Sequence, residues 1–410
     1  MFKHALLHTV TLAVVVAMSP VAGAVTFQVT DLSPYASGLS PYFTNFSYSG
    51  FTAKGISDNG QYISGSVSVW IDSWGFSRAL AYRYTMGSSV VSLIQTDNYY
   101  SDVFTVGSAN SVNNIGEAAG YGADVNHDLE EYASITFLSD SAPGVGSYEL
   151  AIGPNQPVSN CQSMNNFGQM SATIYHAAGE PYTYLLFYDG ATAHNIGLAD
   201  QISGDVTAIN DGSWIVGSLT DPQLGNVAFV NRPTGQGGRE TVTLGTNSTG
   251  RDINNGGKIV GVASFAGGSR AFISAPDGQG GYGSPQDLGA LGAPSGQGSS
   301  IAKAINNSGW IVGNSGYGFL AMDEGSGYVM RDLNDLLLPA DQAIWTIADA
   351  YSIADTGQIL VTATNNNTGE TVQSLLLTPV PEPGTLVLLN AVAMGLLVHG
   401  RRRNRAPHGD

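Results

Sequence analysis

Short apolar runs alternate with clusters of Gly, Asn and Ser along most of this chain. Outside its two ends no long stretch places apolar residues at i, i+3, i+4 and i+7. The pattern predicts many short strands joined by tight turns, an all-β protein. One version of it keeps returning: "GISDNGQYISGS" from Gly55, "AINDGSWIVGSL" from Ala208, "DINNGGKIVGVA" from Asp252 and "AINNSGWIVGNS" from Ala304. Marked at the last residue of the Ile-Val-Gly triplet or its equivalent, seven copies end at Gly65, Gly120, Ala172, Gly217, Gly261, Gly313 and Val361, at intervals of 44 to 55 residues. A period in that range belongs to propeller blades or solenoid turns.

Each full copy has four parts. In the sixth they read "SIAKAIN", "WIVGNS", "GFLAM" and "VMRDLN"; in the fifth, "RDIN", "KIVGVA", "SRAFIS" and "PQDLGAL". The seventh supplies "AYSIA", "QILVTA" and "QSLLLT" but no fourth part. The missing piece stands near the other end of the chain, where "FQVTDLS" (27–33) matches "YVMRDLN" (328–334). A first strand that completes the last blade closes a ring and removes an exposed edge, whereas a solenoid needs capping repeats. The expectation is a seven-bladed β-propeller of four-stranded antiparallel blades, closed by the N-terminal strand; a solenoid or a sandwich is the alternative. Asn306, Asn307 and Gly309 read as a turn, since Asn and Gly tolerate positive φ and Asn can bond its own backbone. The Ile-Val-Gly strand is apolar on both faces and is expected between blades, its Gly allowing close backbone approach. The residue ahead of it varies (Tyr62, Gln169, Trp214, Lys258, Trp310, Gln358), which suits a solvent-facing position.

The ends differ from the repeats. Residues 1–24, "MFKHALLHTVTLAVVVAMSPVAGA", have an early Lys, an apolar run and a small-x-small ending, which predicts a secretory signal peptide cut after Ala24. Residues 379–410 hold Pro381-Glu382-Pro383, a short apolar stretch from Leu386 to Val398, and then Arg401, Arg402, Arg403 and Arg405. The basic cluster orients such a short transmembrane segment with its tail inside. This three-part order resembles the PEP-CTERM sorting signal of Gram-negative bacteria. The resemblance implies recognition by an exosortase, transient inner-membrane anchoring, cleavage near Pro381, Glu382 and Pro383, release to the cell surface or medium, and an association with exopolysaccharide.

Residues 25–378 form the expected repeat domain, and they too have a resemblance. Ala304 to Gly313, the pairs Ala228-Phe229 and Ala271-Phe272, and Asp287-Leu288-Gly289 are similar to HAF-type extracellular repeats. The His of that name is replaced by Val227 and Arg270. The family implies an exported surface protein and brings no catalytic residues with it.

Charge narrows the partners. The repeat domain keeps 10 Lys and Arg against 30 Asp and Glu, which disfavours nucleic acid and anionic membrane surfaces. Cys161 is the single cysteine, so no intrachain disulfide staples the fold. No HExxH, GxSxG or Walker-type loop occurs, and His127, His176 and His194 stand apart in sequence. No cofactor is expected, with one metal in question. Asp124, Asn126 and Asp128 alternate oxygen donors as a calcium loop does, yet Leu129 and Ile135 replace the Gly and Glu such a loop needs, so a plain acidic loop is the other reading. Trp70, Asp72, Trp74, Tyr99 and Tyr100 are candidate carbohydrate contacts, or else rings that pack the first blade. The functional expectation is a non-enzymatic surface or matrix module that binds extracellular polysaccharide or other surface proteins. The alternative is a propeller glycan hydrolase or lyase, which requires carboxylates converging in a central funnel.

Overall fold

A computed structural model describes residues 25–33, 46–71, 76–88, 91–94, 106–123, 134–137, 148–150, 159–175, 183–190, 193–196, 203–221, 223, 225–293 and 296–380. They are almost entirely β, with one 3-10 turn and one four-residue helix among them. The strands form antiparallel four-stranded sheets in chain order, for example Ser203–Ile209, Ile215–Asp221, Gly225–Pro233 and Arg239–Thr246. Six hydrogen-bonded sheets result, one of them with eight strands. That larger sheet is two four-stranded units, joined where Leu80 pairs with Val106 alone. Seven blades therefore follow one another around a β-propeller.

The last blade is completed from the chain's start. Thr26–Asp31 pairs antiparallel with Thr371–Val380 from Thr26↔Val380 to Asp31↔Leu375, and Phe27 and Leu32 are buried beside it. The final strand runs to Val380, two residues past the boundary expected from the sequence. The first strands of successive blades touch all the way round, including Trp345–Ile353 of blade seven with Phe46–Ile56 of blade one.

Apolar burial is divided among the blade junctions. Seven clusters occur among the described residues, each shared by two neighbouring blades. Between blades four and five, for instance, Val216, Val230 and Leu244 pack on Ile253, Ile259 and Phe272. The second strands sit between neighbours, with Ile215, Val216, Ile259, Val260, Ile311 and Val312 all fully buried. Their closing Gly has two jobs. A Cβ on Gly261 would run into the Thr249 carbonyl oxygen of the first strand, and the Phe272 ring covers the space beside it. Gly217 with Phe229 and Gly313 with Phe319 repeat the arrangement, which gives the Phe of the Ala-Phe pair a physical role.

Three of the residues ahead of the Ile-Val-Gly strand, Tyr62, Trp214 and Trp310, do not face solvent as expected. Trp214 packs over Gly257 of the next blade, Trp310 over Gly357 and Tyr62 over Gly116. The following blade's turn Gly has positive φ and no side chain, so it leaves a seat for each ring. Arg232 completes one such seat, 5.2 Å above the Trp214 ring.

Candidate functional site

The Asn turn does more than close itself. In Asn165, Asn210, Asn254 and Asn306 the side-chain Oδ1 accepts the backbone N–H four residues on, at 2.9 to 3.0 Å. The Nδ2 of each then donates to a carbonyl of the next blade: Asn165 to Asn210, Asn210 to Asn254, Asn254 to Asn306 and Asn306 to Ala354. These buried amides staple four successive junctions. The second turn residue adds an outer ring. Backbone N–H groups of Asn114, Asn166, Asp211, Asn255 and Asn307 donate to the side chains of Asn166, Asp211, Asn255, Asn307 and Asp355 in turn. Asp355 N–H donates to the Asp58 carbonyl, and Asn59 N–H to Asn114, so the circle closes.

This ring is one end of a central channel of about 260 Å³, lined by the first strands of all seven blades. A wider space of about 670 Å³ adjoins it and shares Gln162, Thr207, Arg251 and Lys303 with it. Every first strand carries a β-bulge at the same step of the repeat, leaving one residue unpaired in the ladder: Lys54, Asn110, Gln162, Thr207, Arg251, Lys303 or Tyr351. A bulge bends its strand and re-aims a side chain. All seven bulged residues line the channel.

Several of these side chains are consumed between blades. Asn110 Nδ2 donates to the Cys161 carbonyl at 2.9 Å, and the Thr207 hydroxyl lies 3.1 Å from the Gly250 carbonyl. Lys303 is ion-paired with Asp349 of the next blade, whereas the Tyr351 hydroxyl donates within its own blade, to the Gln373 carbonyl at 3.0 Å. Lys54, Gln162 and Arg251 keep side chains without a hydrogen-bonding or ionic partner among the described residues.

Carboxylates do converge here. Asn166 Nδ2 lies 2.8 Å from Asp58 Oδ2 and 3.1 Å from Asp211 Oδ2, so one amide bridges two acids across the ring. Loss of water pushes Asp58 up to about 6, aided by the charges of Asp355 and Asp211 and opposed by the Asn166 hydrogen bond. Asp252 is pushed up to about 7, again chiefly by loss of water. The N–H groups of Ile305 and Ile253 hold its carboxylate in the charged form only in part. Both acids thus serve as acceptors inside the wall. Among the described residues, no three His, Cys, Asp and Glu gather as a metal site.

The residues singled out from the sequence fall mostly elsewhere. Trp70 lies in Tyr62–Ile71, 40% exposed and opposite Ser47 and Ser77, far along its strand from the channel turn. Asp72, Trp74, Tyr99, Tyr100, Asp124, Asn126 and Asp128 lie outside the described residues, as do Ala24, Pro381, Glu382, Pro383 and Arg401 to Arg403. His194 stacks on Phe187 and its Nε2 is 2.7 Å from Asp189. Cys161 is buried, and burial pushes its thiol up to about 12. No described helix is long and apolar enough to cross a membrane. The bulged ring went unread in the sequence because its seven residues share no chemistry. Its signal was positional, three residues before the first turn residue, which is Asn in five blades, Ser57 in the first and Ala354 in the last.

No family model matches the chain, and no curated protein does. Solved structures align with it at low identity. A prolyl endopeptidase matches at 11% identity and TM-score 0.45, over 86% of this chain and 52% of that one. A puromycin hydrolase matches at 14% identity and TM-score 0.45 over 83% and 55%, and dipeptidyl peptidase 4 of Porphyromonas gingivalis at 12% and 0.38 over 80% and 52%. The chain spans about half the length of each of these proteins.

Proposed function

We propose that this propeller is a non-enzymatic, exported surface or matrix module that binds extracellular polysaccharide. The observation that carries the reading is the channel wall, built from amides, hydroxyls and cations on bulged strands. Its floor carboxylates are engaged by donors, Asp58 and Asp211 by Asn166, and Asp252 by two backbone N–H groups. The raised Asp58 and Asp252 are also what a hydrolase or lyase would use, so that alternative goes to the same test. The terminal segments support export, through the resemblance to a signal peptide, a PEP-CTERM sorting signal and HAF-type repeats; an exosortase and the inner membrane are then transient partners.

The test is titration of the purified full-length chain with the producing organism's extracellular polysaccharide while reducing ends and unsaturated ends are assayed. Saturable binding without new ends is the expected result. New ends would make the protein a hydrolase or lyase. Repeating the titration with calcium and then chelator asks whether the loop at Asp124 takes part; chelator-sensitive binding would bring a metal into the module.

A further inference from the structure

Between residues 25 and 378 the chain has ten Lys and Arg against thirty Asp and Glu, so carboxylate partners are plentiful. Seven of those cations are engaged: Arg232 with Glu240, Arg270 with Asp287, Lys303 with Asp349 and Arg331 with Glu324, Arg83 and Arg239 with carbonyls, Lys258 over the Tyr328 ring. Arg78 has a side chain outside the described residues. The remaining two, Lys54 and Arg251, have no partner among the described residues, and both are bulged residues of the channel. Gln162, likewise bulged and unpartnered, joins them from blade three.

We infer that the channel binds an acidic sugar unit, its carboxylate held by Lys54 and Arg251 with an amide hydrogen from Gln162, and its hydroxyls facing the Asn and Asp floor. The inference deepens the polysaccharide reading and rests on it. Bulges placed at one step of every blade aim these three side chains into a common space. Their cations are not spent on the floor: Asp58 and Asp252 keep raised values with no Lys or Arg among the causes. The narrow part, at about 260 Å³, falls just below the ~300–1,000 Å³ of ordinary ligand pockets, which suits one sugar unit. The adjoining 670 Å³ has room for the units that follow. Other charges limit what enters. Asp205 stands at the wide end, where Lys303 is paired with Asp349, and Asp58, Asp211 and Asp252 line the narrow part. A sugar unit that sets its one carboxylate among neutral hydroxyls fits that distribution better than a compact dianion.

The experiment is calorimetric titration of the purified full-length chain at low salt with tri-galacturonic acid, its methyl ester and inorganic sulfate. One saturable site for the tri-acid is expected, with the ester and sulfate each binding at least about tenfold more weakly, the scale of one lost charge-assisted hydrogen bond. Lys54→Gln and Arg251→Gln should each weaken the tri-acid by about tenfold or more at unchanged melting temperature, while Lys258→Gln leaves it alone. Equal binding of the ester or sulfate, or equal binding by both channel variants, would overturn the inference. If the organism's polysaccharide binds but the tri-acid neither binds nor competes, the acidic-sugar site is wrong and the binding module stands. If neither binds, both readings fall.

Discussion

Asn254 offers the sharpest test of what joins the blades. It is 6% exposed; its Oδ1 accepts from Lys258 N–H at 3.0 Å and its Nδ2 donates to the Asn306 carbonyl at 3.1 Å. Asn254→Ala leaves the Lys258 N–H without its acceptor and removes the bond between blades, while the Asn306 carbonyl keeps the Gly309 N–H at 2.9 Å. The orphaned donor costs about 1–3 kcal/mol and the lost bond to Asn306 about 0.5–1.5 kcal/mol, so the variant should lose about 2–4 kcal/mol. That is a large share of the ~5–15 kcal/mol that holds a typical protein folded. Urea unfolding reads it directly: with a slope near ~3 kcal/mol/M, the midpoint should drop by about 1 M at unchanged slope. Asn254→Asp keeps the Oδ1 acceptor but turns a carboxylate oxygen toward the Asn306 carbonyl. It should be as damaging near neutral pH and recover part of the loss when protonated. A loss below about 0.5 kcal/mol in Asn254→Ala would show that the turn amides close only their own loops and that apolar packing alone joins the blades.

Two further outcomes follow from the same architecture. Gly261→Ala forces a methyl onto the Thr249 carbonyl and should abolish soluble expression or cost more than about 4 kcal/mol, whereas Gly235→Ala, with nothing within 4 Å, should change stability by less than about 1 kcal/mol; soluble yield and urea midpoints separate the two. Stability should fall as pH rises between about 4 and 7. Asp58, near 6, and Asp252, near 7, bind protons in the folded state that an ordinary carboxylate at 3.8 has already released, so the native state is the better proton binder in that window. Urea midpoints at about pH 5 and about pH 8 check the sign, and Asp58→Asn should flatten the difference; a midpoint that rises with pH refutes the raised carboxylates.

The blade count and its closure were legible because both rest on apolar periodicity and on one visible permutation. The seventh copy lacks its fourth part and residues 27–33 supply it, in the register Phe27↔Pro379 to Asp31↔Leu375. The turn Asn residues were legible as turns but not as staples, since donation from Asn210 to Asn254 crosses 44 residues and depends on how blades lean together. Trp214 and Trp310 were misread as solvent-facing for a related reason. A variable position looks exposed until the next blade's Gly257 or Gly357 is placed beneath it. The candidate site was the least legible part. Lys54, Gln162 and Arg251 are scattered over nearly 200 residues and share only their distance from the turn, and that distance gains meaning once each strand bulges there.

The repeat therefore separates two kinds of position within three residues. At the turn, Asn165, Asn210, Asn254 and Asn306 have one geometric task, bonding back to their own loop and forward to the next carbonyl, and a change of residue type breaks one bond or the other. At the bulge, the backbone ladder skips a residue, so no cross-strand neighbour dictates the side chain there. Lys, Asn, Gln, Thr, Arg and Tyr all occupy that step, and Asn110, Thr207 and Lys303 spend their side chains on the next blade. The three whose side chains have no hydrogen-bonding or ionic partner among the described residues, Lys54, Gln162 and Arg251, can change the channel's ligand chemistry while the blades stay as they are. That is why specificity in this propeller should be sought at the bulges and stability at the turns.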